Sequence, residues 1–329
     1  MTKKQFPSLS HIIDGFLLFK EASGRSPHTI KDYRVNLSRF CDWMGNPPVN
    51  DVTSKQIEAF FRYLQDDFLV THVYTVPIKP RKLKPKTILN AWTALSAFWN
   101  WTSKEFKIDN PFTLPRIKAE PTPINSLTEQ EIERLLKVCD YAEESRPSNR
   151  TAFKTRRNTR KRDRAIILCL LDTGVRVSEL CGINISHVDL KTGRIFVTGK
   201  GKKSRYVYLG MSTRKVLWTY ITYRFPKNKP EYDEPVFVSR DFIGRLTISG
   251  VNQLLKRLAK RACISDVHPH RFRHTFAIEF LRNGGDIFTL QELLGHSSLD
   301  MVKKYIRLAQ LDLEQAHRRA SPVDNWRLR

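Results

Sequence analysis

The sequence predicts a mainly α protein in two domains, the second of which carries a small antiparallel β-sheet. Three observations give that class. Apolar residues recur at helical spacing along most of the chain, repeatedly behind a recognisable N-cap. The stretch NPFTLPRIKAEPTP, with its four prolines, breaks this periodicity between the two parts. A single segment, GRIFVTGKGKKSRYVYLG, places β-branched and aromatic residues on either side of a glycine and lysine turn. A length of 329 residues suits two domains, each able to bury a core.

The first helix begins after Leu9 and turns Ile12, Ile13, Phe16 and Leu17 inward. The second has Ser26 as N-cap and Pro27 at its first position, with Ile30, Tyr33, Leu37 and Phe40 in step. A capping box from Thr53 to Gln56 opens the third, which carries Ile57, Phe60, Phe61 and Leu64. The fourth follows Pro85, with Ile88, Trp92, Leu95 and Trp99 on one side. Between the third and fourth lies VPIKPRKLKPK. Its prolines are expected to prevent regular structure, and Lys79, Arg81, Lys82, Lys84 and Lys86 are expected to contact phosphate. This helical bundle is assigned to residues 1–115 and the linker to 116–126.

The second domain, 127–308, opens with a capping box from Thr128 to Glu131, followed by the apolar face of Ile132, Leu135 and Leu136. The run RPSNRTAFKTRRNTRKRDR, which includes Arg156 and Arg157, is too densely charged to pack as a helix throughout and is expected to order on phosphate. An apolar helix, RAIILCLLDTG, and a short turn, RVSEL, lead into the β-hairpin. Helices are expected from Ser212 to Arg224, Ser249 to Ala262, His270 to Asn283, Asp286 to Leu294 and Leu299 to Arg307, with an amphipathic tail over 309–329.

Fifty-seven Lys and Arg against 33 Asp and Glu leave a formal net charge of +24, which implies a polyanionic partner. The cations are spread among Tyr, Trp and Phe in folded-looking segments, a distribution that suits a nucleic-acid-binding enzyme better than a membrane anchor with one polybasic patch. No run of about 18 apolar residues occurs, and the start MTKKQFPSLS lacks the apolar core of a signal peptide, so a cytoplasmic protein is expected. The five cysteines, Cys41, Cys139, Cys169, Cys181 and Cys263, are scattered and read as reduced core residues.

The residues that carry chemistry cluster in the second domain. Arg176 follows a helix-ending glycine in DTGVRVSELCG, where a guanidinium can grip two oxygens of a phosphate. Glu179, three residues on, shares its face and either orients a partner or serves as a structural carboxylate. Lys200 lies in a turn that its flanking glycines let bend towards a ligand, beside Lys202, Lys203 and Arg205. In HPHRFRHTFA, His270, Arg273 and His274 fall on one helical face. Zinc ligation is disfavoured there by Arg271 and Arg273 and by the lack of a Cys or carboxylate to complete a set; phosphate suits these charges better. His296 follows a helix-ending glycine, and Tyr305 stands nine positions later on the next helix.

In order, TGVRVSEL, GKGKKSR, HRFRH and LLGHSSLDMVKKY resemble the signature of the tyrosine recombinase, or phage integrase, family. No motif position departs from the pattern. The resemblance implies catalytic roles for Arg176, Lys200, His270, Arg273, His296 and Tyr305, with Glu179 in support. It also implies a SAM-like four-helix core-binding domain that clamps one face of DNA while the catalytic domain takes the other. Contacts to DNA are expected from the loop cations, from Arg156 and Arg157, and from Lys202, Lys203, Arg205 and Arg271.

By that resemblance the enzyme is a site-specific recombinase that cuts and rejoins double-stranded DNA through a 3′-phosphotyrosyl bond, with neither metal nor ATP. A phenol, of ordinary pKa about 10, is a poor nucleophile near neutral pH without help, and His270 is the expected base for Tyr305. Arg176, Arg273 and His296 would hold the phosphate, and Lys200 would protonate the departing 5′ oxygen. A tetramer on the recombination site, docking of the tail on a neighbouring subunit, an accessory DNA-bending or directionality protein, no membrane partner and a place in the cytoplasm on the nucleoid complete the expectation. The alternatives are a type IB topoisomerase and a non-catalytic, sequence-specific DNA-binding protein.

Overall fold

The computed structural model describes residues 6–73, 76–118, 124–141, 156–199, 201, 203–226, 233–239, 244–295, 299–309, 317 and 321–326. It divides into two compact units, Met1–Thr122 and Pro123–Arg329.

The first unit is built on α1 (Leu9–Ala22), α2 (Pro27–Met44), α3 (Ser54–Asp66) and α4 (Pro85–Phe106). Local chemistry sets their ends. The Ser26 hydroxyl accepts from the Thr29 N–H, Pro27 occupies the first turn, and Gly45 closes α2 in the left-handed conformation. At α3 the Thr53 N–H donates to Gln56 Oε1 at 2.8 Å, and the Gln56 N–H returns to the Thr53 hydroxyl. Phe16, Leu37, Phe40, Phe60, Leu95, Phe98 and Trp99 form a fully buried centre in which Phe16 meets Phe98 edge to face, with centroids 5.6 Å apart.

One expectation fails in this unit. VPIKPRK is a strand, β2 (Val76–Lys82), paired antiparallel with β1 (Leu69–Val73). Both strands of a two-stranded ribbon are edges, and the register shifts between Val70 and His72; edges and bulges are where a strand tolerates proline. Leu69, Lys79, Pro80, Arg81 and Lys82 are exposed, so the ribbon stands with both faces in solvent.

The second unit contains α5 (Glu129–Asp140), α6 (Arg160–Thr173), α7 (Val177–Cys181), then β3 (Val188–Asp189), β4 (Arg194–Thr198) and β5 (Ser204–Tyr208), then α8 (Met211–Arg224), α9 (Ile248–Ala262), α10 (Pro269–Arg282), α11 (Ile287–Leu294) and α12 (Asp300–Ala309). The three strands form one antiparallel sheet in the order β3, β4, β5, with Arg194 opposite Tyr208 and Thr198 opposite Ser204. Ile195, Val197 and Val207 turn from the sheet into a core shared with α5, α6, α9 and Phe272. A second cluster joins Ala277, Ile278 and Leu281 of α10 to Leu290 and Leu294 of α11 and to Val302 and Tyr305 of α12.

The end of the basic run is folded rather than waiting for phosphate. Arg162 is buried and bonds Asp163 at 2.8 Å and the Val238 carbonyl at 3.0 Å, and Arg157 reaches the same buried Asp163 at 2.8 Å. A buried polar group needs such hydrogen-bond partners. Residues 142–155 lie outside the described residues. Four cysteines are buried as expected, but Cys263 is exposed, because it sits in the left-handed cap that ends α9.

Candidate active site

α6 ends at Gly174, whose φ of +59° suits glycine, and a Cβ there would lie 2.4 Å from the Phe276 ring. This tight turn delivers Arg176 as the N-cap residue of α7, in extended conformation. Glu179, one turn into α7, is 1% exposed and accepts four hydrogen bonds: from the Arg176 N–H (2.9 Å), Arg176 Nη1 (2.8 Å), and Arg205 Nη1 and Nη2 (2.9 Å each). Burial alone would push this carboxyl up, but the bonds from Arg205 and Arg176 outweigh it and hold the pKa at about 2.

Three guanidiniums converge on the last carbonyls of α11. Arg205 Nε donates to Leu293 O at 2.7 Å, Arg273 Nη2 to Leu294 O at 2.7 Å, and Arg176 Nη2 to Gly295 O at 3.3 Å. Helix C-termini leave such carbonyls unpaired and carry partial negative charge, so cations seat there favourably. Arg273 is also tied to Gly174 O at 2.7 Å, which fixes the turn before Arg176. Burial first, and the nearby Arg176 second, lower its pKa to about 10, so it stays cationic at neutral pH. Three cations therefore face one carboxylate here, and the excess positive charge is an electrostatic invitation to an anion. Arg176 keeps a side-chain exposure of 31%, through which such an anion can be met.

Tyr305, on α12, packs against α10 and α11, feels the charge of Arg273 and is 4% exposed. Its hydroxyl lies 2.8 Å from Nδ1 of His274, with the two rings tilted and their centroids 5.7 Å apart. Among the described residues, His270 makes no hydrogen bond to that hydroxyl. His270 stands on the open side at the start of α10, and partial desolvation of its ring, followed by Arg273, His268 and Arg176, lowers its pKa. Burial raises the Tyr305 pKa, partly offset by Arg273. His274 is lowered to about 4, first by burial and then by His270, His268 and Arg273.

The structure thus brings together Arg176, Glu179, Arg273 and Tyr305. Lys200, Lys202 and His296 lie outside the described residues. Their neighbours are anchored: the Gly199 N–H donates to Lys203 O at 2.8 Å, a Cβ on Gly199 would lie 2.8 Å from Glu179 Oε1, and the Gly295 carbonyl before His296 is held by Arg176. Three residues expected at DNA have partners inside the fold. Arg205 is engaged by Glu179 and Leu293, Arg271 by Glu131 (3.0 Å) and the carbonyls of Ser126 and Ser265, and Arg157 by Asp163. In each case the guanidinium is paired with a carboxylate of little exposure. Arg156, Lys79, Arg81, Lys82, Lys84, Lys86 and Lys203 are exposed. Sequence reasoning gave no role to His274 or to Arg205 as a strut; the only signal for His274 was its place on the face of His270.

Residues 125–311 match the model of the phage integrase family, and residues 12–107 match its N-terminal SAM-like domain. The chain belongs to the phage integrase family of tyrosine recombinases and is a site-specific DNA recombinase. It is 30% identical to tyrosine recombinase XerC of Oceanobacillus iheyensis, covering 95% of this chain and 96% of that one. In fold it is similar to XerH site-specific recombinase bound to a palindromic difH substrate, with TM-score 0.66, 19% identity and coverage of 93% and 82%. It is likewise similar to lambda integrase, seen as a tetramer on a Holliday junction, with TM-score 0.67, 18% identity and coverage of 91% and 80%. No helix among the described residues is long and apolar enough to cross a membrane.

Proposed function

We propose that Tyr305 attacks the scissile phosphate and forms a 3′-phosphotyrosyl bond while a 5′ hydroxyl departs. The observation that carries this reading is that Arg273, held with Arg176 on the last carbonyls of α11, lies close enough to Tyr305 for its charge to act on the phenol, so excess cationic charge stands beside a potential nucleophile. Arg176 and Arg273, joined by His270 and His296, hold the phosphate and stabilise the charge on its equatorial oxygens. Lys200 protonates the leaving 5′ oxygen. The new ester conserves the energy of the broken one, so rejoining needs neither ATP nor a metal ion. Glu179 keeps Arg176 at its post.

Double-stranded DNA is held in part by the β1–β2 ribbon. From residue 68 to residue 104 the chain has six Lys or Arg and no Asp or Glu, and an antiparallel ribbon is of a size to enter a DNA groove. The tail from residue 309 docks on a neighbouring subunit of a tetramer assembled on the recombination site, in the cytoplasm on the nucleoid, where an accessory DNA-bending or directionality protein sets the outcome. The deciding experiment incubates the protein with nicked cognate DNA in EDTA. Wild type becomes covalently attached, and Tyr305→Phe loses the adduct while still binding DNA. An adduct that survives the substitution overturns the assignment of the nucleophile.

A further inference from the structure

We propose that His274, rather than His270, is the base that accepts the Tyr305 proton during strand cleavage. The inference rests on the reading of Tyr305 as nucleophile and goes beyond it by naming a residue the motif leaves without a task. Geometry carries it. A base must lie within hydrogen-bond reach of the proton it removes, and Nδ1 of His274 is 2.8 Å from the phenol oxygen. The contact is held in place: Tyr305 is 4% exposed, His274 is half-buried, and α12 packs onto α10 through Val302, Ala277, Ile278 and Leu281. One turn earlier on α10, His270 stands on the exposed side and is placed for the phosphate instead.

Only a neutral imidazole offers Nδ1 a free lone pair. The groups that face His274 are Arg273, His270 and His268 from its own helix and Tyr305 from α12, so its surroundings are cationic or neutral. They disfavour a proton on the ring in the free enzyme. A phosphate anion seated against Arg273 and His270 reverses that local field, and proton affinity at His274 rises when substrate arrives. In the step itself the Tyr305 O–H bond breaks as the oxygen joins phosphorus, and the proton moves to His274 Nδ1. The phosphorus to 5′-oxygen bond breaks, and that oxygen takes a proton from Lys200. On rejoining, the 5′ hydroxyl gives its proton back to Lys200 as its oxygen joins phosphorus, the bond from phosphorus to the Tyr305 oxygen breaks, and His274 returns the proton to that phenol oxygen.

The test is single-turnover cleavage of suicide DNA by His274→Ala and His274→Gln, each checked for folding by circular dichroism and for DNA affinity. Glutamine fills the site and hydrogen-bonds but takes no proton, so both variants are expected to cleave at least about a hundredfold more slowly with unchanged affinity. Their rate should climb with pH as the phenol ionises by itself, and added imidazole should restore part of the alanine variant's activity. With sulfur in place of the bridging 5′ oxygen the leaving group needs no proton, yet the defect should persist. Cleavage by His274→Gln within a few-fold of wild type, or a defect that vanishes on the sulfur substrate, overturns the proposal. If Tyr305→Phe itself retained the adduct, the underlying assignment would fail instead.

Discussion

Arg205 and Glu179, from strand β5 and helix α7, meet through two parallel hydrogen bonds of 2.9 Å each. The same guanidinium reaches on to Leu293 O, so one side chain links the sheet, the turn that carries Arg176 and the end of α11. Removal of one partner from a buried pair leaves an uncompensated charge and costs about 3–5 kcal/mol. Arg205→Ala should accordingly lower the thermal midpoint by several degrees and reduce cleavage. Arg205→Lys should recover only part, because an ammonium cannot reproduce the fork. Calorimetry with a covalent-adduct assay checks both.

The Glu179 carboxyl is held at about 2 in the folded protein, below its ordinary 4.5. A depressed folded value contributes stability that is fully present above pH 4.5 and is lost as pH falls towards 2. Glu179→Gln should be less stable at neutral pH and should show a shallower decline over that acid window. Denaturant titrations at a series of pH values measure the slope.

Gly174→Ala puts a Cβ 2.4 Å from the Phe276 ring at a positive φ. The two strains together should cost about 2–4 kcal/mol and displace the carbonyl that Arg273 holds. Pairing it with Phe276→Ala should relieve the clash but not the backbone strain, and a double-mutant cycle separates them.

Arg273→Lys retains the charge but cannot span Gly174 O and Leu294 O together, both of which the guanidinium reaches at 2.7 Å. Cleavage should fall by about 10²–10³ while duplex binding persists. Quenched-flow cleavage beside a filter-binding isotherm separates the two.

Charge reversal of Lys79, Arg81 and Lys82 to Glu should weaken DNA binding and flatten the logarithmic salt dependence by about 0.9 for each phosphate no longer neutralised. Folding of the first unit should be untouched, since the ribbon lies outside its core.

Helices were legible because Ser26, Thr53 and Thr128 announce their own N-termini within a turn of sequence. The ribbon was not, because Pro77 and Pro80 argue against a strand unless its edges and bulge are known. Arg176 and Tyr305 stood out from their motif neighbours, whereas Arg205 read as one more hairpin cation. Its true partner lies 26 residues away with strands β3 and β4 between them, and such pairing leaves no periodic trace. His274 was equally silent, since its meaning depends on an oxygen 31 residues downstream.

The three arginine grips on the end of α11 also impose an order in time. Arg176 and Arg205 leave the ribosome well before the carbonyls of Leu293, Leu294 and Gly295 that they and Arg273 seize, and Tyr305 emerges later still. A half-made chain therefore holds neither the finished arginine cluster nor Tyr305. The cluster is complete only when the last helices close over the rest.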